Sequence, residues 1–211
     1  TRELATFQNT KYFFMKNHLT GIILAGGKNS RMGFNKAFLK IDGKRLMDII
    51  LSVYQELFSQ IIIVTNDPVS YTEFGNTEIV TDIYPGKGSL GGIYTGLFYA
   101  KNDYSFVAAC DMPSLNKDFI FFMIEQIDKH DIIVPELPEG FQALHAIYSR
   151  RCLPAIKKMI AEENLKIAGL YKEMRLLKIT DEKIKPFNDK GNIFININTP
   201  DDLKSYHHVI R

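Results

Sequence analysis

Ala25-Gly26-Gly27 follows directly on the apolar run Ile22-Ile23-Leu24, and Arg31 and Lys36 lie a few residues further on. Adjacent glycines at the end of a strand leave backbone N–H groups bare, and bare N–H groups attract anions. Basic side chains nearby then neutralise the anion. Types and spacing together suggest a phosphate cradle, with a nucleotide as its ligand. A plain tight turn beside ordinary surface cations accounts for the same residues about as well. The stretch fits neither the P-loop spacing nor Gly-x-Gly-x-x-Gly.

A second group of candidates ends other apolar runs. Asp111 closes Ser105-Phe106-Val107-Ala108-Ala109-Cys110 and precedes Met112-Pro113. A carboxylate there could hold Mg2+, which takes one or two protein oxygens and completes its shell with water and phosphate. The competing reading is a helix-capping aspartate, because Pro113 and Asn116 announce a helix. Asn66 and Asp82 close two further runs, although turn chemistry explains Asn66-Asp67-Pro68 equally well. Gly86-Lys87-Gly88-Ser89-Leu90-Gly91 does match Gly-x-Gly-x-x-Gly, with Asp111 about 20 residues on, as in a dinucleotide fingerprint. Pro85 breaks its join to a strand, and the end of the first strand is already taken by Ala25-Gly26-Gly27.

These residues need elements to bring them together. Short continuous apolar runs predict buried strands at 22–24, 61–64, 78–81, 105–110 and 131–135. Helical spacing predicts helices at 44–58, 93–100 and 116–130, with Asn116 as a cap. That βαβα order implies an α/β fold, three-layer α/β/α with a mainly parallel, Rossmann-like sheet. Ligands of such sheets sit outside the carboxyl ends of the strands, where Gly26, Asn66, Asp82 and Asp111 could converge. The second half is less regular: strands at 141–148 and 176–179, helices at 151–163 and 167–174, and an alternating stretch at 193–198. Thr199-Pro200-Asp201-Asp202 reads as a helix start.

Composition narrows the class. At 211 residues, with 45% hydrophobic and 24% charged content, the chain can build one large core. A net charge of +2 is too mild to argue for nucleic acid or an anionic membrane. Cys110 and Cys152 show no metal or disulfide spacing, which suits a reducing, cytoplasmic setting. No apolar run reaches the roughly 18 residues of a membrane helix, and residues 1–18 lack the pattern of a secretory signal. Met15 is placed to be a start, which would make the residues before it an extension.

Leu24-Ala25-Gly26-Gly27, Arg31-Met32-Gly33, Asn35-Lys36 and Gly43-Lys44-Arg45-Leu46 resemble the signature of the molybdenum cofactor guanylyltransferases, Leu-Ala-Gly-Gly-x-x-x-Arg-Met-Gly-x-x-Asp-Lys and Gly-Lys-Pro-Leu. Asn35 stands where that family has Asp. The resemblance runs from about Leu19 to Tyr206. It implies a single nucleotidyltransferase domain over 19–211, preceded by an N-terminal extension over 1–18. It also implies transfer of GMP from GTP to molybdopterin, with release of pyrophosphate.

By the same resemblance, Asp111 is the metal residue and Mg2+ the cofactor, with Arg31 and Lys36 beside it in catalysis. Leu24, Ala25, Gly26, Gly27, Lys36, Asn66, Asp82, Gly88, Leu90, Gly91 and Asp111 match nucleotide-binding positions. Gln142, Asn196 and Asn198 match substrate-binding positions: Gln142 on the pterin side, although Ala143 replaces the family's Pro after it, and Asn196 and Asn198 in the family's Asn-x-Asn-Thr-Pro, whose amides approach the metal and phosphates, although a polar strand face before a capped helix explains the two asparagines as well. Implied partners are GTP, molybdopterin and other proteins of cofactor synthesis or molybdoenzyme maturation. A cytidylyl or sugar-phosphate transferase, an NAD-dependent oxidoreductase and a non-catalytic nucleotide sensor remain open alternatives. His145 reads as a structural histidine rather than a base.

Overall fold

The computed structural model describes residues 18–26, 35–188, 193–197, 202 and 206. Its first strand, β1 (Leu19–Leu24), is buried throughout. Alternate side chains go to opposite faces. Ile23 joins one core cluster, while Ile22 and Leu24 join another on the far side of the sheet. The same period of two sorts β4 (Gln60–Thr65), where Ile61 and Ile63 face the first cluster and Ile62 and Val64 the second. Both faces are apolar, so the strands read as continuous hydrophobic runs.

Between β1 and β4 the chain forms a small hairpin, β2 (Lys40–Ile41) with β3 (Lys44–Arg45), and helix α1 (Leu46–Leu57). The predicted helix over 44–58 thus loses its first residues to the hairpin. Helix α1 buries Leu46, Met47, Ile50, Leu51, Tyr54 and Leu57 on one face. Burial of side chains of this size contributes about 1.5–3 kcal/mol each. Its Tyr54 hydroxyl donates to the Ile22 carbonyl at 3.0 Å, tying helix to strand.

The chain continues through β5 (Glu78–Thr81), α2 (Gly88–Tyr99), β6 (Tyr104–Ala109) and α3 (Lys117–Glu125). Then come β7 (Ile132–Leu137), β8 (Gly140–Phe141), β9 (His145–Ser149), α4 (Leu153–Ala161), β10 (Leu176–Thr180) and a short α5 (Asp181–Ile184). Among the described residues the main sheet has the order β10-β7-β9-β6-β1-β4-β5, with β8 paired to β7. Strand β9 runs against both neighbours and β8 against β7; the other pairings are parallel. Helices α1 and α3 cover one face and α2 and α4 the other, giving the expected three layers.

The order reverses around β1: the chain passes outward to β4 and β5, then returns through α2 to β6 on the opposite side. That reversal opens a crevice at the carboxyl ends of β1, β4 and β6. Helix α2 can lie close over the sheet because Gly92 and Gly96 face it. A Cβ at Gly96 would stand 2.6 Å from an Ile22 methyl group, closer than atoms pack.

Other predicted elements also come out differently: the helix over 116–130 ends at Glu125, and the one over 167–174 is a 3-10 turn, Ile167–Lys172. Helix α2 begins at Gly88, five residues before the expected 93, because glycine and serine open it and hide its periodicity. The predicted 141–148 strand is broken between Phe141 and His145, where the His145 amide turns to the Gln142 carbonyl. The stretch 193–197 joins no strand, yet it still alternates: Ile197 is buried and Asn196 exposed. The helix start at Thr199 to Asp201 lies outside the described residues, as does the extension over 1–17.

Candidate functional site

The crevice encloses about 620 Å³, within the size range of small-molecule sites. Its walls come from strand ends (Leu24, Val64, Ala109), from the residues just after them (Gly26, Thr65, Asn66, Asp82, Asp111) and from the start of α2 (Gly88, Ser89, Gly92). Residues over 80 positions apart in sequence meet here because parallel strands all end on one side.

Asp111 follows β6 by two residues. Its backbone is fixed on both sides: the Cys110 amide donates to the Leu24 carbonyl at 3.1 Å, and the Ile197 amide donates to the Asp111 carbonyl at 2.9 Å. The second bond also brings Asn196 to the crevice wall. The Asp111 carboxylate meets Lys36 Nζ through Oδ2 at 3.3 Å, with side chains 18% and 24% exposed. That distance is long for a charge-assisted bond. Among the described residues Oδ1 accepts no hydrogen bond. The arrangement is a cation and a carboxylate held together at a solvent-reachable mouth, each able to turn toward a ligand.

Lys36 opens a 3-10 turn over Lys36–Phe38, capped by Asn35, whose side-chain oxygen accepts the Ala37 amide at 3.1 Å. Asn35, which stands where the family has Asp, thus caps the turn that carries Lys36 through its side-chain oxygen. Across the crevice, Asp82 Oδ1 accepts the Tyr84 amide at 3.1 Å and the Thr95 hydroxyl at 2.8 Å. Its Oδ2 has no hydrogen-bond partner among the described residues. Gly86 and Gly88 adopt φ of +81° and +63°, values a side chain would strain, and so bend the chain sharply into α2.

Of the expected site residues, Leu24, Ala25, Gly26, Lys36, Asn66, Asp82, Gly88, Asp111 and Asn196 share this crevice. Three do not line it. Leu90 is fully buried beneath it, in the core cluster shared with Ile22 and Leu24. Gly91 is packed inward, where a Cβ would meet the Tyr84 carbonyl at 2.8 Å. Gln142 lies beyond the wall, its amide donating to the Pro135 carbonyl at 2.9 Å. For Leu90 the reason is the early start of α2: in a helix from Gly88, residues 88, 89 and 92 turn toward the crevice and 90, 93 and 97 toward the core, whereas Gly91 is closed off by the Tyr84 carbonyl. Gly27, Arg31 and Asn198 lie outside the described residues.

Thr65 and Leu144 line the crevice without having been singled out; Ser89 and Gly92 also line it, in the 88–92 stretch that resembles the family's purine-side loop, although only Gly88, Leu90 and Gly91 of that stretch were expected at the nucleotide. The helical period would have found Ser89 and Gly92 once the helix start was known. Leu144 carried no signal, because it reaches the wall through the break in the strand. Cys110, expected in the core, reaches the crevice wall, and burial beside Asp111 pushes its thiol up to about 12. It is therefore a protonated thiol and no nucleophile. His145 is fully buried among Phe106, Phe119 and Phe194, with burial lowering it to about 3. It is a neutral core residue, far from base chemistry.

The donor set suits a hard cation. One carboxylate faces the crevice beside a lysine, and among the described residues no group of three or more His, Cys, Asp or Glu comes together. Magnesium, which keeps water and phosphate oxygens in its shell, fits such a site better than a metal that demands a full protein cage.

Residues 21–179 match the family model of the MobA-like NTP transferase domain. The chain is 36% identical over 195 residues to the molybdenum cofactor guanylyltransferase of Desulfosudis oleivorans, covering 92% of this chain and 96% of that one. It is 35% identical to the probable molybdenum cofactor guanylyltransferase of Natranaerobius thermophilus, over 90% and 95% of the two chains. Among solved structures, the molybdopterin-guanine dinucleotide biosynthesis protein A of Archaeoglobus fulgidus superposes with a TM-score of 0.77 at 25% identity, covering 90% and 98%.

Proposed function

Since the chain belongs to the MobA-like NTP transferase family, we propose that its crevice binds GTP and that the residues around Asp111 support transfer of GMP to molybdopterin. The protein is a molybdenum cofactor guanylyltransferase in activity. A phosphate oxygen of molybdopterin forms a bond to the α-phosphorus of GTP, the bond from that phosphorus to the bridging oxygen breaks, and pyrophosphate leaves. Little covalent work falls to the protein; position and charge neutralisation do most of it.

The roles follow from the walls. The Gly26 backbone at the end of β1 lets the triphosphate approach closely, and Lys36 neutralises it from the other side. Asp111 would hold magnesium, which when bound neutralises charge on both the attacking and the leaving phosphates. Asp82, with one carboxylate oxygen spoken for by Thr95 and Tyr84, turns the other toward the base. A carboxylate is a good partner for guanine, whose N1–H and N2–H groups both donate. Gly88, Ser89 and Gly92 offer a flat, nearly side-chain-free wall for the purine. Asn196, held by the Ile197 bond to Asp111, faces the acceptor side.

The observation that carries this reading is the meeting of Lys36 with Asp111 at the mouth of the crevice, 75 residues apart in sequence. Binding of GTP, CTP, UTP and NAD with Mg2+, measured side by side, tests it. GTP should bind tightest. Preference for CTP would mean a sister cytidylyltransferase, and preference for NAD would return the Gly86–Gly91 fingerprint to consideration.

A further inference from the structure

Behind the cradle, three groups that take no part in the scheme above stand in a row: the Asn35 amide, the Tyr71 hydroxyl and the Ala25 carbonyl. Tyr71 ends a 3-10 turn over Pro68–Tyr71, just past β4, and is fully buried. Its ring packs on Phe38 at 5.5 Å and Phe74 at 6.1 Å. Its hydroxyl is the polar end of an otherwise apolar side chain, aimed between the end of β1 and the turn that carries Lys36.

The proton order can be read from the geometry. Asn35 Oδ1 already accepts the Ala37 amide at 3.1 Å, which fixes the orientation of the side-chain amide. Asn35 Nδ2 therefore donates to Tyr71 Oη, at 2.9 Å. The one hydroxyl proton of Tyr71 has two oxygen acceptors within 3.3 Å among the described residues, Asn35 Oδ1 at 3.1 Å and Ala25 O at 3.3 Å; the Thr65 side chain also reaches the hydroxyl, but its own proton is directed at Ala25 O. Asn35 Oδ1 is already engaged. Among the described residues the Ala25 carbonyl has in addition only a 3.5 Å contact from Thr65 Oγ1, too long to satisfy it well. A buried carbonyl left without a donor is costly, so the proton goes to Ala25. An aspartate at 35 could accept but not donate, and would draw that proton away; asparagine completes the chain.

We infer that Tyr71 is a positioning residue: its hydroxyl relays a hydrogen bond from Asn35 to Ala25, holding Lys36 at a fixed spacing from the Gly26 strand end. Triphosphate affinity then depends on a side chain that touches no ligand. This rests on Lys36 and Gly26 forming the triphosphate cradle.

Calorimetric titration of the full chain with GTP and with inorganic triphosphate tests it, since the second probe carries no base. Tyr71→Phe removes the hydroxyl and keeps the ring. It should weaken both ligands by the same factor, about tenfold, the scale of one lost hydrogen bond. A merely structural role would lower the number of sites per chain at unchanged affinity. Asn35→Ala, at a partly exposed position, breaks the relay from its other end and should cost at least as much; it also serves if Tyr71→Phe does not fold. In the Asn35→Ala background, Tyr71→Phe should have no further effect.

Affinity for inorganic triphosphate within twofold of wild type in either single variant overturns the inference, as does a full tenfold loss from Tyr71→Phe when Asn35 is already alanine. A wild-type protein that does not hold inorganic triphosphate overturns it as well. A wild type that prefers CTP or NAD to GTP sinks the base assignment instead, and leaves the Tyr71 comparison standing.

Discussion

The Lys36–Asp111 pair sets two charges against each other that the reaction needs apart: the lysine on phosphate, the carboxylate on metal. At 3.3 Å and with both side chains part-exposed, the pair holds its members ready without locking them. Asp111→Ala should cut turnover by roughly 10²-fold or more, the scale of losing one electrostatic stabiliser, while circular dichroism and melting temperature stay near wild type. Near-normal turnover with Mg2+ would remove Asp111 from the site. Without Mg2+, Asp111→Asn should bind GTP at least as tightly as wild type, because the Asp111 carboxylate no longer competes for Lys36. Lys36→Ala should raise the GTP dissociation constant about 10- to 100-fold, the worth of a charge-assisted bond. Unchanged affinity would mean that the phosphates lie elsewhere.

At the scale of elements, the site depends on how closely α2 approaches β1. Gly96 has no room for a side chain against Ile22. Gly96→Ala should therefore destabilise by about 1–3 kcal/mol through overpacking, read as a lower urea midpoint. It should also displace the start of α2 and weaken GTP binding, an effect that a distant destabilising substitution would not share. The strands were legible in the sequence because each is a continuous apolar run buried on both faces, and their carboxyl ends carried the site with them. The start of α2 was not, since Gly88, Ser89, Gly91 and Gly92 give a helix no periodic signal; Leu90 and Gly91 were accordingly assigned to the wall rather than to the packing beneath it. Leu144 was illegible because it reaches the wall from the turn between β8 and β9, which the run of residues 141–148 does not announce. Tyr71 looks in sequence like any core aromatic, and its hydroxyl acquires meaning only when Asn35 and Ala25 come within reach.

For the molecule as a whole, two buried polar groups set the response to acid. His145 is neutral in the fold and holds off protonation until about 3, whereas the unfolded imidazole protonates near 6.5. The unfolded state thus binds the extra proton, and stability falls as pH drops from about 6.5 toward 3, by at most about 1.4 kcal/mol per pH unit. His145→Phe should flatten that slope in urea titrations at successive pH values; an unchanged slope would show the histidine to be irrelevant to it. Asp131, buried between the guanidinium groups of Arg151 and Arg175, is held well below the usual carboxylate range. Its contribution is present above about 4 and is lost as pH falls further. These groups lie in the core and at the base of the sheet, away from the crevice.

The most direct test of the whole assignment is to follow α-phosphate-labelled GTP with molybdopterin, Mg2+ and the protein. The label should move into a guanine dinucleotide, with one pyrophosphate released per GTP and no comparable reaction from CTP. Label transferred from CTP but not from GTP, or GTP left intact beside active cofactor, would contradict it.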